Sequence, residues 1–144
     1  MKTKVSSVLG LFFVGLILGC GSDFTVVPVS GTVSMDGEPE QGIKVIFMPL
    51  PLEENPSPGP FSTAITDENG AFVLKTRRGK TGAIVGHHLV SFVYLEFGPG
   101  HEAAGSDREM PARYKGDVGI NFEVPRGGND AVKFELTSDD DDEE

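Results

Sequence analysis

Apolar residues alternate with polar ones in several short stretches of this chain after residue 25. The alternating apolar positions of the clearest stretches are Val27, Val29, Val33 and Met35, then Ile43, Val45 and Phe47, and finally Val132, Phe134 and Leu136. Successive side chains of a β-strand point to opposite faces, so this spacing predicts strands that are buried on one face only. No stretch after residue 24 shows a long helical period, and we therefore expect an all-β fold.

The connections between these stretches are rich in turn-forming residues. The 144 residues include 19 glycines and 10 prolines but no tryptophan, a composition that favours short strands joined by tight turns. Asp36-Gly37 and Asn69-Gly70 each lie between two alternating stretches, and both dipeptides are typical of hairpin turns. The stretches between residues 26 and 138 together predict a seven-stranded antiparallel β-sandwich.

The longest apolar run after the N-terminal segment extends from His87 to Phe97 and is flanked by glycines. Its length favours a central strand that is covered on both faces. In this strand we expect His88 to share the inward face with Val90 and Phe92.

The N-terminal segment begins with Lys2 and Lys4, and residues 5–19 then carry no charge. As a helix these 15 residues would reach about 22 Å, which is short of the roughly 30 Å hydrocarbon core of a bilayer. A positive start followed by a short apolar run predicts a signal peptide over residues 1–19 rather than a permanent membrane span.

Cys20 is the only cysteine, and it follows this segment directly in the order Ile17-Leu18-Gly19-Cys20. That order resembles the lipobox of bacterial lipoproteins, which implies cleavage between Gly19 and Cys20 and acyl chains on Cys20. A thiolate is the nucleophile that such a modification needs, and stable anchoring takes at least two chains. The alternative is a buried structural cysteine beside a leader, and in neither case is there a second thiol for a disulfide.

Two short segments flank the domain of the predicted mature chain. Residues 20–25 are predicted to be a tether, and residues 139–144 a disordered acidic tail, because six adjacent acids bring no apolar surface to pack. The alternative for the tail is that it recruits a basic partner or holds divalent cations. The formal charge of the whole chain is −10, with 12 basic and 22 acidic residues, which argues against a nucleic-acid partner.

Five stretches in a fixed order carry a wider resemblance. They are VSGTVSMDGEPEQGIKVIF, TDENGAFVL, GAIVGHHLVSF, PARYKGD and VPRGGNDAVKFEL. In this order they resemble bacterial lipoproteins with a transthyretin-like, carboxypeptidase-regulatory-like domain. The resemblance extends from the leader to about Ser138 and implies a Greek-key β-sandwich in an extracytoplasmic location more than it implies a reaction.

A metal site is the first catalytic hypothesis to weigh. The candidate ligands are His87, His88, His101, Glu96 and Glu102. Adjacent histidines on a strand point to opposite faces, so His87 and His88 do not readily hold one ion together. We therefore predict no metal and no cofactor, with the alternative of a hydrolase or metal-dependent enzyme that uses His87, His88, His101 and the loop 98–119.

Two further motifs have simpler explanations than catalysis or ion binding. The stretch 67–70, DENG, resembles part of a calcium loop but lacks the later glutamate, and a hairpin turn explains it. The RYKGD stretch is similar to the terminal Tyr-Arg-Gly-Ser signature of transthyretin-related hydrolases that act on hydroxyisourate. It departs from that signature at Lys115 and Asp117 and is internal, so we expect Tyr114 to pack under the long loop and to hydrogen-bond a backbone group. The chain also has no Gly-x-Ser-x-Gly elbow, and we expect no catalysis.

Partner contacts are expected on the loops, chiefly Pro49 to Pro60 and residues 98–119, because binding residues concentrate on loops held by a rigid scaffold. In the second loop the candidate partner-binding residues are His101, Arg108, Met110, Arg113 and Tyr114. The alternative is that this loop only covers an open edge of the sheet. The sequence thus predicts a lipid-anchored, extracytoplasmic binding or structural module of the cell envelope, whose partner is an envelope protein or a glycan.

Overall fold

A computed structural model describes residues 24–54, 56–95 and 108–139. The described strands are β1 (Val26–Val27), β2 (Val29–Met35), β3 (Glu38–Pro39), β4 (Ile43–Pro49), β5 (Ser62–Ile65), β6 (Ala71–Val73), β7 (Lys75–Thr76), β8 (Ala83–Ile84), β9 (Gly86–Tyr94), β10 (Ile120–Val124) and β11 (Asn129–Leu136). One short 3₁₀ helix, Ala112–Tyr114, lies between β9 and β10. The all-β class expected from the sequence is therefore confirmed. In these three ranges no helix is long and apolar enough to cross a membrane.

Several predictions concern residues outside these ranges. They are the signal peptide 1–19, cleavage between Gly19 and Cys20, lipidation of Cys20, the ligand candidates Glu96, His101 and Glu102, and the tail beyond Asp139. These stay predictions.

The strands form two larger sheets and a small one. The order of the five-stranded sheet is β10-β9-β4-β5-β7, and all its neighbours are antiparallel. In the four-stranded sheet β2 lies between β11 on one side and β3 and β6 on the other, while β1 pairs with β8. The described strands outnumber the predicted seven because Pro28 separates β1 from β2 and because β1, β3, β7 and β8 have only two residues each.

One strand pair departs from the antiparallel arrangement predicted for the whole fold. β11 runs parallel to β2, with Asn129 beside Val29 and Leu136 beside Met35. The chain enters β11 at the same end of the domain at which it entered β2, so the two strands run in the same direction. A local period of two does not record the direction of a partner strand, which is why the sequence did not reveal this pair.

The core lies between the five-stranded and four-stranded sheets. The Phe134 ring on β11 lies 5.1 Å from that of Phe92 and 6.0 Å from that of Phe47, measured between ring centroids. On its own sheet it stacks against Phe72 at 6.1 Å. All four side chains are buried, as the alternation predicted for Phe47, Phe92 and Phe134.

The longest strand, β9, is central in its sheet, between β10 and β4, as its length indicated. It is not covered on both faces, however, because His87 and Val93 are exposed while Val90 and Phe92 are buried. On the outer face Leu89 is half-buried and Ser91 is 6% exposed, so that face is covered only in part. The long apolar run of β9 therefore does not mean that both faces of the strand are buried, because one of them is half exposed.

The Asn69-Gly70 turn transfers the chain between the two sheets instead of joining a hairpin within one. The Asp67 carboxylate accepts hydrogen bonds from the backbone N–H groups of Asn69 and Ala71, both at 2.9 Å, which accounts for the acid without an ion. The Gly70 carbonyl accepts from the Val33 N–H at 2.8 Å, and a Cβ at Gly70 would lie 2.4 Å from the Val33 carbonyl oxygen. Glycine thus allows the turn to lie directly against β2.

Candidate binding cleft

A cleft of about 480 Å³ opens at the end of the domain where β2 and β9 terminate. Its lining residues are Met35, Asp36, Glu38, Glu40, Tyr94, Arg108, Glu109, Pro111 and Ser138. They come from the β2–β3 turn, the last residue of β9, the segment before the 3₁₀ helix and the residues after β11. The cleft therefore forms only when segments distant in the sequence come together.

Arg108 and Glu40 form an ion pair in this cleft although 68 positions separate them in the sequence. The Glu40 side chain is 14% exposed, whereas that of Arg108 is 57% exposed. The carboxylate thus lies inside the cleft and the guanidinium at its mouth. A guanidinium has five N–H donors, so Arg108 can contact a ligand while it keeps Glu40.

Tyr94 contributes a hydroxyl group that stays protonated at neutral pH. Burial raises its pKa, and the nearby carboxylates of Glu40 and Asp36 raise it further, against an opposing effect of Arg108. Arg108 also donates a hydrogen bond to the Tyr94 hydroxyl oxygen. The tyrosine O–H can therefore donate a hydrogen bond to a ligand, but it is a poor general base.

Two acidic residues at the rim are held in their ionised form. Hydrogen bonds from the side chain and the backbone N–H of Ser138 lower the pKa of Asp36, and the backbone bond measures 2.9 Å. Lys115 hydrogen-bonds Glu109 at 2.5 Å and lowers its pKa. Among the lining residues Arg108 thus faces four acids, and the cleft suits a ligand with a cationic group beside a carbonyl or carboxylate.

The structure separates the predicted partner-binding residues into different roles. Arg108 lines the cleft. Met110 is only 3% exposed and packs in the core cluster. Its side chain therefore stabilises the fold and is not available to a partner. His101 lies outside the described residues.

Arg113 and Tyr114 hold the 3₁₀ segment against the end of β11. Arg113 donates to the carbonyl oxygen and the hydroxyl of Thr137, at 2.8 and 2.6 Å. The Tyr114 hydroxyl accepts the Thr137 N–H at 3.3 Å, which is the backbone contact expected for it. Its ring stands edge-on to Phe92 at 6.2 Å, with the Arg113 guanidinium 4.7 Å from its centroid. These contacts favour a covering role for this part of the loop.

The histidines of β9 point to opposite faces, as predicted. His87 is exposed, and His88 is 1% exposed beside the Phe47 ring. A carbonyl can only accept, so the 2.9 Å contact with the Gly86 carbonyl assigns the proton of neutral His88 to Nδ1. Its Nε2 has no partner among the described residues, and burial lowers the pKa of the ring. No group of three His, Cys, Asp or Glu residues in the described ranges is placed to hold a metal ion.

Of the cleft residues only Arg108 was expected from the sequence to bind a partner, and those that it missed include Asp36, Glu40 and Tyr94. The sequence predicts only a turn at Asp36, and its backbone has the positive φ of 52° expected there. The chain matches no protein-family model, no curated protein and no solved structure.

Proposed function

We propose that this protein is a lipid-anchored module of the cell envelope that binds an extracytoplasmic partner in the cleft of Arg108 and Glu40 and catalyses no reaction. The observation that carries the proposal is the position of the cleft relative to the point where the chain enters the domain. The sequence motifs around Cys20 and the resemblance to transthyretin-like lipoproteins support the anchor and the location.

The chain enters the domain at the end opposite to the cleft. β1 pairs with β8, which leads directly into the first residue of β9, whereas the cleft contains the last residue, Tyr94. Nine residues of strand separate these two ends by about 30 Å. Phe24, the first described residue, follows Cys20 by four positions, which extended chain spans in at most about 14 Å. A bilayer that holds Cys20 would therefore face the entry end and leave the cleft open to the envelope.

The chemistry of the cleft suits binding better than catalysis. Its charged groups are already engaged, since Arg108 pairs with Glu40, and hydrogen bonds hold Asp36 and Glu109 ionised. Tyr94 keeps its proton at neutral pH. A partner that binds here can replace these ion-pair and hydrogen-bond contacts with contacts of its own. Because carboxylates outnumber the cation in the cleft, we expect the partner, an envelope protein or a glycan, to present a cationic group.

The first test concerns the anchor. The intact mass of protein extracted from membranes should correspond to a chain that begins at Cys20 and carries acyl groups. Cys20→Ala should release the protein from the membrane or leave it unprocessed. A mass that starts at Met1, or an unmodified cysteine at residue 20, would contradict the proposal.

The second test concerns the cleft. Proximity labelling in the native cells should identify a partner with the wild-type protein, and Arg108→Gln should reduce its capture by roughly fivefold or more. Arg126→Gln is the matched control, because Arg126 is an exposed arginine at the entry end of the domain. Equal capture by both variants would show that the cleft does not bind the partner.

A further inference from the structure

The connection between β7 and β8 carries the densest positive charge of the chain. Lys75, Arg77, Arg78 and Lys80 lie within six positions, and all four are exposed. No acidic residue occurs between Glu68 and Glu96, although the chain as a whole has a formal charge of −10. We call these four residues the basic turn.

Backbone hydrogen bonds give the basic turn a defined shape. The Thr76 N–H donates to the Lys80 carbonyl and the Gly79 N–H to the Thr76 carbonyl, both at 2.8 Å. The Thr76 hydroxyl, on a buried side chain, accepts the Lys80 N–H at 3.1 Å. Arg108 pairs with Glu40 and Lys115 with Glu109, so neither of these two ion pairs uses a cation of the turn.

The basic turn lies at the end of the domain where the chain enters. Ser62 of β5 pairs with Thr76 of β7, so Phe61 and Arg77 extend these two strands at the same end. Phe61 is 41% exposed. Two positions before it, a Cβ placed on Gly59 would lie 2.8 Å from a ring carbon of Phe24. The basic turn, an exposed phenylalanine and the start of the described chain are therefore neighbours.

The described end of the chain lies far from this turn. The Ser138 N–H donates to the Asp36 carboxylate at the cleft end, about 30 Å from the entry end. The described contacts therefore leave the cations of the turn open to an external anionic surface.

We infer that the basic turn contacts the anionic headgroups of the membrane in which Cys20 is anchored, and so holds the cleft end away from that membrane. This inference rests on the proposed lipid anchor. Arginine and lysine side chains bind phosphate oxygens directly, and each contributes about a factor of five to binding at an anionic surface. The acidic cleft end is repelled by the same surface, which favours the same orientation, while exposed Glu53 and Glu54 in the loop after β4 oppose it in part.

The test uses the full mature protein, extracted from membranes and reconstituted on vesicles of phosphatidylcholine with or without phosphatidylglycerol. An amine-reactive reagent labels exposed lysines, and mass spectrometry reads each site. Labelling of Lys75 and Lys80 should fall by roughly threefold or more on the anionic vesicles. Lys44 and Lys133 are internal controls and should label equally on both. High salt should abolish the protection, because the screening length falls to about 3 Å at 1 M.

Two double variants distinguish the effect of the basic turn from the effect of the net charge of the protein. Arg77→Gln with Arg78→Gln should remove most of the protection of Lys75 and Lys80. Lys44→Gln with Lys133→Gln changes the net charge equally and should leave that protection intact. Equal protection in the two double variants would overturn the inference.

The remaining outcomes distinguish this inference from the proposed function. Flotation with both kinds of vesicle but no charge-dependent protection would leave the anchor standing and overturn the inference. Flotation with anionic vesicles alone, lost in Arg77→Gln with Arg78→Gln, would contradict the anchor, and with it the inference as stated, while it would show that the basic turn itself binds anionic headgroups. Flotation with neither would contradict both. Protection of the lysines by soluble polyglutamate but not by vesicles would assign the turn to an acidic macromolecule and overturn the membrane inference.

Discussion

The rings of Phe92 and Phe134 meet edge to face, with their centroids 5.1 Å apart and an angle of 73° between their planes. Phe92 belongs to β9 in the five-stranded sheet and Phe134 to β11 in the four-stranded sheet, so this contact joins the two sheets. Phe134 also contacts Phe47 and Phe72, which makes it the centre of an aromatic cluster.

Replacing Phe134 with alanine should lower the free energy of unfolding by about 3–5 kcal/mol, because it removes a buried ring and leaves a cavity between the sheets. Denaturant unfolding followed by circular dichroism measures this change. Glu135→Ala is the control on the same strand, since Glu135 is exposed. A loss below about 1 kcal/mol for Phe134→Ala would mean that the ring does not join the sheets.

Gly31 is the position at which the parallel pairing of β2 and β11 is most sensitive to added volume. A Cβ at Gly31 would lie 2.0 Å from the Val132 carbonyl oxygen, which is backbone and cannot rotate away. Gly31→Ala should therefore force the two strands apart and cost about 3 kcal/mol of stability.

Gly127→Ala is the matched control for this change, because nothing lies within 4 Å of a Cβ at Gly127. Its effect on the melting temperature should be small. Equal melting temperatures of the two alanine variants would show that β11 does not approach β2 as closely as described.

Buried His88 should make the fold sensitive to mild acid. Burial is the main cause that lowers its pKa below the ordinary value of 6.5; nearby His87 lowers it further, and the contact with Gly86 opposes the shift. Below pH 6.5 the unfolded chain therefore binds a proton that folded His88 does not. Neutral His88 makes its full contribution to the free energy of unfolding above pH 6.5. That contribution is lost as the pH falls towards the pKa of His88 in the folded protein.

Denaturant midpoints at about pH 7.5 and about pH 5 measure this effect. His88→Asn should show a smaller acid-induced loss than the wild type, because an asparagine amide can donate to the Gly86 carbonyl but does not titrate. His87→Asn, at the exposed neighbouring position, should keep most of the acid-induced loss, because burial rather than His87 is the main cause of the lowered pKa of His88. If the acid-induced loss were the same in all three proteins, His88 would not be its source.

The parts of the fold that the sequence predicted are those that depend on local spacing. Alternation alone predicts that Phe134 and Phe92 point inward, and the same rule predicts that His87 and His88 point to opposite faces. Asp36 and Gly37 were recognised as a turn because their positive φ angles are a local property. Such features depend on the neighbours of a residue in the sequence.

The remaining features depend on contacts between distant segments. Glu40 and Arg108 are separated by 68 positions, and each alone resembles any exposed charge. Tyr94 has the spacing of an ordinary strand residue, and only the packing of β9 beside the β2–β3 turn gives it a cleft. The direction of β11 relative to β2 is likewise a property of the whole chain path, which a period of two does not contain.

The last prediction concerns where the structured chain ends. Deleting residues 139–144 should leave the melting temperature unchanged at physiological salt, because six adjacent acids repel one another and offer no apolar surface that would offset their ordering entropy. Deleting residues 137–144 should lower it clearly, since Thr137 binds both Arg113 and Tyr114, and Ser138 binds Asp36. Thermal unfolding of the two truncated proteins compares these effects directly. A drop of several degrees in the shorter deletion would show that the acidic residues themselves dock on the domain.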